Sequence, residues 1–106
     1  MDNYKVVLVD DEVEVIDAIE QRIHWDILGF EVVGSATNGV KALELVEKQQ
    51  PDVVITDIKM PYMDGLELAR RLNKEYQNIH IIIFTGFDEF EYAKEAVHLE
   101  VEEYMQ

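Results

Sequence analysis

Four side chains of this sequence have the types and placement to act together: Asp10, Asp11, Asp57 and Thr85. Three carboxylates forced into one place repel and raise one another's pKa unless a cation compensates. A set of oxygen donors with positions left for water suits Mg²⁺ or Mn²⁺, not zinc or copper. A carboxylate beside such a cation is a nucleophile toward phosphorus, and the metal offsets charge on the transferred group during in-line displacement. Thr85 adds a hydroxyl able to donate to a phosphoryl oxygen. The plainer reading is that acidic residues at strand ends face solvent and that a threonine ending a strand is structural. The joint presence of all four argues against it.

The elements that must bring them together are legible as changes of period. Val53 to Gly65 starts as a short β-branched apolar run, the pattern of a strand buried on both faces. Asp57 stands where that run ends, and Pro61 and Asp64-Gly65 turn the chain into a helical pattern. A carboxylate at the carboxyl end of a buried strand is where open α/β sheets place their chemistry. Lys5 to Val9 predicts a first strand running into Asp10-Asp11-Glu12. Val13, Ile16, Ile19 and Ile23 then recur at helical spacing, with Trp25 closing the apolar side and Gly29 marking the stop.

Phe30 to Ala36 predicts the second strand, and Val40 to Val46 a second helix that ends before Pro51. Asp64 three residues before Glu67 forms a capping pattern for a third helix carrying Leu68, Ala69 and Leu72. His80 to Thr85 is the fourth strand. Asp88 with Glu91 repeats the cap for a fourth helix burying Phe90, Ala93 and Val97, and Val101 to Met105 begins a fifth strand. Strict alternation of this kind means a parallel sheet with helices on both faces. The fold class is α/β, a flavodoxin-like doubly wound sheet of strand order 2-1-3-4-5, whose crevice collects Asp10, Asp11 and Asp57 with Thr85 alongside.

Composition bounds the partners. With 106 residues, 48% hydrophobic and 30% charged, the chain makes one globular domain and not a disordered segment. Nine basic against 23 acidic residues, a net charge of −14, excludes direct nucleic-acid binding by this domain, which needs clustered Lys and Arg. The same surplus suits a cation site and protein partners. No cysteine is present, so no disulfide, thiolate metal site or thiol nucleophile arises. No apolar run reaches membrane-spanning length and the amino terminus lacks a signal-peptide form, so a cytoplasmic location with no membrane contact is expected.

Val9-Asp10-Asp11-Glu12, the stretch Asp57 to Gly65, Phe84-Thr85-Gly86 and Tyr104 together resemble the response-regulator receiver domain of two-component signalling, over all of residues 1–106. The run from Gly86 to Val97 resembles regulators with an AraC-type helix-turn-helix output domain. The resemblance implies a phosphoprotein domain whose Asp57 accepts a phosphoryl group from a phosphohistidine on a sensor histidine kinase. It implies Mg²⁺ ligated by Asp11, by Asp10 mainly through water, by Asp57 and by the backbone carbonyl of Lys59. Thr85 would contact the phosphoryl group and move toward it, and Tyr104 would turn inward as an aromatic switch. Lys59 and Phe87 match positions that tune the lifetime of the acyl phosphate. Apart from self-phosphorylation and slow self-dephosphorylation, no enzymatic turnover is implied, and the output would be transcription regulation.

Receivers continue past Tyr104 with a lysine and a proline, then a fifth helix; aligned here, the lysine falls just after Gln106. The expectation is therefore a C-terminally truncated receiver with its last strand cut short and its fifth helix absent. That would leave Ile81 with Ile83, or Ile82 with Phe84, uncovered and favour a homodimer. Glu100 stands where a glycine commonly ends the fourth helix. The alternatives are a receiver-like interaction scaffold not switched by phosphorylation, which the missing lysine favours, and a magnesium-dependent phosphohydrolase of the haloacid dehalogenase-like class. Lys59 occupies the place where that class carries its second acid. His24, His80 and His98 show no ligand spacing, Trp25, Tyr92 and the methionines read as packing residues, and Tyr62 lies in the loop beside the site.

Overall fold

Continuous apolar runs along the central strands decide this architecture. The computed structural model describes residues 3–84 and the backbone of 103–105. Strands β1 (Tyr4–Val9), β2 (Phe30–Ala36), β3 (Val53–Asp57), β4 (His80–Phe84) and β5 (Glu103–Met105) pair in parallel in the order 2-1-3-4-5, as expected. Among the described residues three helices connect them: α1 (Val13–Arg22), α2 (Gly39–Gln49) and α3 (Gly65–Glu75).

Successive strand residues point to opposite faces, and the two faces gather different helices. Val7 and Val9 of β1, Val54 of β3, and Ile81 and Ile83 of β4 pack with Ala42 and Val46 of α2 and with Leu68, Ala69 and Leu72 of α3. Val6, Leu8 and Ile55 pack instead with Ile16 of α1, joined by the half-buried Ile19, Trp25, Phe30 and Ile82. Each fully buried aliphatic side chain contributes about 1.5–3 kcal/mol of transfer free energy, so the α2/α3 face carries the larger share of the core. Ile81 and Ile83 are buried, which removes one of the two pairs expected to be bare. Ile82 is half-buried, and the side chain of Phe84 lies outside the described residues. The expected fourth helix with Asp88, Glu91, Phe90, Ala93 and Val97 also lies outside them.

The end of one helix differs from the sequence expectation. α1 ends at Arg22, and Ile16 is its one fully buried residue, while Val13 in the first turn is exposed. Gly29 does not stop the helix. Its φ of +86° places it in the turn that feeds β2, where its carbonyl accepts the Tyr4 N–H at 2.9 Å. α2 ends before Pro51 as expected, through a left-handed cap: Gln50 adopts φ 48° and ψ 60° and donates its N–H to Val46 at 2.8 Å.

The cap of α3 is half of a capping box. Asp64 accepts the Glu67 N–H at 2.8 Å, while the Glu67 carboxylate meets Arg71 Nε at 3.1 Å and Arg70 Nη1 at 2.8 Å. These hydrogen bonds hold the Glu67 carboxyl below its usual range, and because the group is exposed they add little to stability. Asp64→Ala is expected to lower stability by about 1 kcal/mol, read as a shift of the urea unfolding midpoint at unchanged slope.

Candidate functional site

Register alone brings two of the acidic residues together. β1 and β3 are neighbours with Val9 opposite Thr56, so the next residues along, Asp10 and Asp57, leave the sheet side by side at its carboxyl edge. Asp10 stays in contact with the sheet, since its N–H donates to Ala36 at 3.1 Å. Its carboxylate Oδ1 accepts the Glu12 N–H at 2.8 Å, which bends the chain at once into α1. Asp11, between them, is exposed. Asp57 is half-buried, and its Oδ1 accepts the Ile58 N–H at 2.9 Å.

One carboxylate oxygen from each of Asp10, Asp11 and Asp57 lies within 4.8 Å of the others. They border an open cleft of about 490 Å³ lined by Asp11, Glu12, Asp57, Lys59, Met60 and Pro61. The donors are all carboxylate oxygens, no imidazole or thiolate joins them among the described residues, and the cleft leaves room for water. That set fits a small hard divalent cation. Asp10 is 8% exposed, and burial is the main reason its carboxyl is raised from 3.8 to about 6. The Glu12 N–H opposes the rise, and the charges of Asp57, Asp11 and Glu12 add to it.

This strain has a sign that can be measured. A folded-state pKa above the unfolded one means that the folded state holds the proton more tightly. The ionised form is therefore penalised above pH 6, and the penalty disappears as pH falls toward 4. At neutral pH and without divalent metal it reaches up to ~3 kcal/mol. Asp10→Asn keeps an oxygen for the Glu12 N–H and removes the charge. In EDTA it is expected to stabilise the domain by ~1–3 kcal/mol at pH 7.5 and by about a third as much at pH 4.5. Urea titrations of both proteins at both pH values check this.

The loop after β3 is held by contacts that composition and period do not reveal. The Gly65 N–H donates to the Ile58 carbonyl at 2.7 Å, and Met63 donates to Pro61 at 2.7 Å. A Cβ on Gly65 would collide with the Asp57 carbonyl oxygen and stand 2.9 Å from Ile58 Cα. Met60 and Met63 are buried under the loop, and a Cβ on Gly39, at the start of α2, would press on Met63. Tyr62 is fully exposed with φ 69°. By its residue types Asp64-Gly65 is a turn signal. The glycine in fact lets the first turn of α3 rest on the backbone that carries Asp57.

Of the remaining candidates, Lys59 is exposed and lines the cleft. Thr85 and Phe87 lie outside the described residues. The backbone of Tyr104 belongs to β5 opposite Ile83, and its side chain lies outside the described residues. His80 begins β4 at the far end of the sheet and His24 follows α1, so neither belongs to the acidic cluster; His98 lies outside the described residues. No helix among the described residues is long and apolar enough to cross a membrane.

Residues 6–106 match the family model of the response regulator receiver domain. The chain is similar to YesN, an uncharacterized transcriptional regulatory protein of Bacillus subtilis, at 44% identity over 102 residues that cover 96% of this chain and 28% of that protein. Among solved structures it resembles the REC domain of AraT, a response regulator from Geobacillus stearothermophilus, with a TM-score of 0.91 and 41% identity over 96% of this chain and 79% of that one. A two-component transcriptional regulator AraC from Clostridium phytofermentans superposes with a TM-score of 0.88 at 30% identity, covering 98% of this chain and 81% of that one.

Proposed function

Because the chain belongs to the response regulator receiver domain family, we propose that residues 1–106 form a phosphoacceptor unit in which Asp57 takes a phosphoryl group from a phosphohistidine of a sensor histidine kinase. Asp10, Asp11, Asp57 and the backbone carbonyl of Lys59 hold Mg²⁺ or Mn²⁺. Thr85 contacts the phosphoryl group, Tyr104 follows it as the switch, and Lys59 and Phe87 tune how long the phosphorylated state lasts. The unit works in the cytoplasm within a longer chain whose DNA-binding output domain regulates transcription. The observation that carries this reading is the convergence of three carboxylates within 4.8 Å at the carboxyl edge of the sheet.

A carboxylate oxygen of Asp57 attacks phosphorus as the P–N bond to the donor imidazole breaks. The electron pair stays on the imidazole nitrogen, and because the donor ring is protonated on its other nitrogen it leaves as a neutral histidine while the mixed anhydride forms. When bound, the divalent cation supplies positive charge that offsets the clustered carboxylates and the oxygens of the incoming group. The chain's part is to have the ligands ready. The Ile58 N–H fixes the rotation of the Asp57 carboxylate and the Glu12 N–H that of Asp10, so neither carboxylate has to be ordered during the reaction. The added group brings about −1.5 to −2 charge and new acceptor oxygens, enough to bias a two-state packing element.

Incubation with acetyl phosphate or phosphoramidate and Mg²⁺, followed by intact-mass measurement, tests the reading. One added phosphoryl group that depends on the cation is expected, and peptide mapping should place it on Asp57. No uptake would overturn the proposal in favour of an interaction scaffold. Continuous phosphate release at enzymatic rates would replace it with a phosphohydrolase.

A further inference from the structure

At the end of the sheet opposite Asp57, the turn between α1 and β2 presents large apolar side chains to solvent. Ile27 is 77% exposed and Leu28 62%, and Tyr4 at the start of β1 is 63% exposed. The turn is firmly built. Leu28 donates to His24 at 3.2 Å, Gly29 to Asp26 at 3.2 Å, Phe30 to Trp25 at 2.8 Å and Tyr4 to Gly29 at 2.9 Å. Beneath it, Phe30 meets the Trp25 ring edge-on at 6.4 Å and the Tyr4 ring at 5.8 Å. Two hollows of about 330 and 360 Å³ flank Phe30, one reaching Val53 and the other Ile23 and Val32. A rigid turn that holds adjacent apolar side chains in water, in a chain otherwise rich in charge, marks a contact surface.

Charge selects the occupant. Asp52 stands in one hollow, and Glu20, Asp26 and Glu31 stand in the other. Among the described residues no Lys or Arg lines either hollow, and the nearby Lys5 Nζ already reaches the Gln49 carbonyl at 3.4 Å. A second copy would bring −14 against −14 and a like-charged rim onto its own image. A domain that binds DNA carries clustered Lys and Arg, and such a patch complements this acidic rim around an apolar centre. We propose that the Tyr4–Ile27–Leu28 surface docks the basic DNA-binding output domain of the longer chain. This rests on the output reading given above. Five-residue strands separate the surface from Asp57 by about 15 Å, so docking leaves the phosphoacceptor edge open to the kinase.

The test uses the full-length regulator with a photo-crosslinking p-benzoylphenylalanine at position 28, and a control at Val40, which is exposed on α2. Irradiation is expected to join position 28 to a Lys- or Arg-bearing peptide of the output domain in the same chain. The yield should exceed that at position 40, fall about threefold or more at about 0.5 M salt, and fall similarly in Ile27→Glu. Crosslinks to a second copy, or a yield no higher than the control, overturn the docking. If the longer chain carries no DNA-binding domain, the output reading and this inference fall together. A DNA-binding domain present but uncrosslinked sinks the docking alone, and phosphoryl uptake measured on the same sample reports on Asp57 independently.

Discussion

Asp57→Asn is expected to abolish phosphoryl uptake while leaving the metal-free fold intact and slightly more stable. The amide oxygen of asparagine can still accept the Ile58 N–H, so the turn out of β3 keeps its geometry. The amide is no useful nucleophile toward phosphorus, and one of three negative charges is gone from a cluster whose oxygens lie within 4.8 Å. The Asp57 charge is among the causes that raise Asp10, so its removal lets Asp10 ionise more readily. At neutral pH without metal the gain is roughly 1 kcal/mol, since two charges at this separation near a surface interact by about that amount or more. Acetyl phosphate with Mg²⁺ should add no mass to the variant, and its urea midpoint in EDTA at pH 7.5 should equal or exceed that of the unsubstituted protein. Retained uptake would mean that the acceptor is another residue.

The strands and the acidic cluster were readable from the sequence because burial writes itself as period. Val6 to Val9, Val53 to Ile55 and Ile81 to Ile83 are apolar on both sides because both faces of the sheet are covered. The charged residues at their ends mark where the cover stops. Parallel order then placed Asp10 beside Asp57. What period cannot report is how closely one backbone approaches another. The demand for glycine at position 65 comes from Asp57, and that at position 39 from Met63. Neither neighbour leaves a trace in the helical pattern itself.

The apolar spacing overruns the end of α1 for a related reason. Ile23 and Trp25 continue an apolar spacing because they pack beside the sheet, yet the backbone has already left the helix at Arg22. The roles of Thr85, Phe87 and the Tyr104 ring fall outside the described residues and stand on the family membership.

Gly65→Ala is expected to destabilise the domain by ~2–4 kcal/mol, against the ordinary direction for a helical position. Alanine in place of glycine usually favours a helix by about 1 kcal/mol. Here the added methyl meets the Asp57 carbonyl oxygen, Ile58 Cα at 2.9 Å and the Asp57 carbonyl carbon at 3.1 Å. These are backbone atoms of β3 and its exit, which cannot rotate aside as a side chain would. Either α3 tilts away and weakens the 2.7 Å bond from the Gly65 N–H to Ile58, or the end of β3 moves and carries Asp57 with it. Overpacking of this kind costs about 1–3 kcal/mol and a weakened buried hydrogen bond about 1 more. Gly34→Ala is the internal comparison. Its Cβ would touch only the Leu45 side chain, at 3.0 Å, which can yield, so a loss below about 1 kcal/mol is expected. Urea unfolding separates the two variants. Phosphoryl uptake, measured where Gly65→Ala is fully folded, should also be slower than for Gly34→Ala, because only the first substitution strains the backbone that carries the acceptor. Equal stability of the two variants would show that the α3–β3 contact is looser than these distances imply.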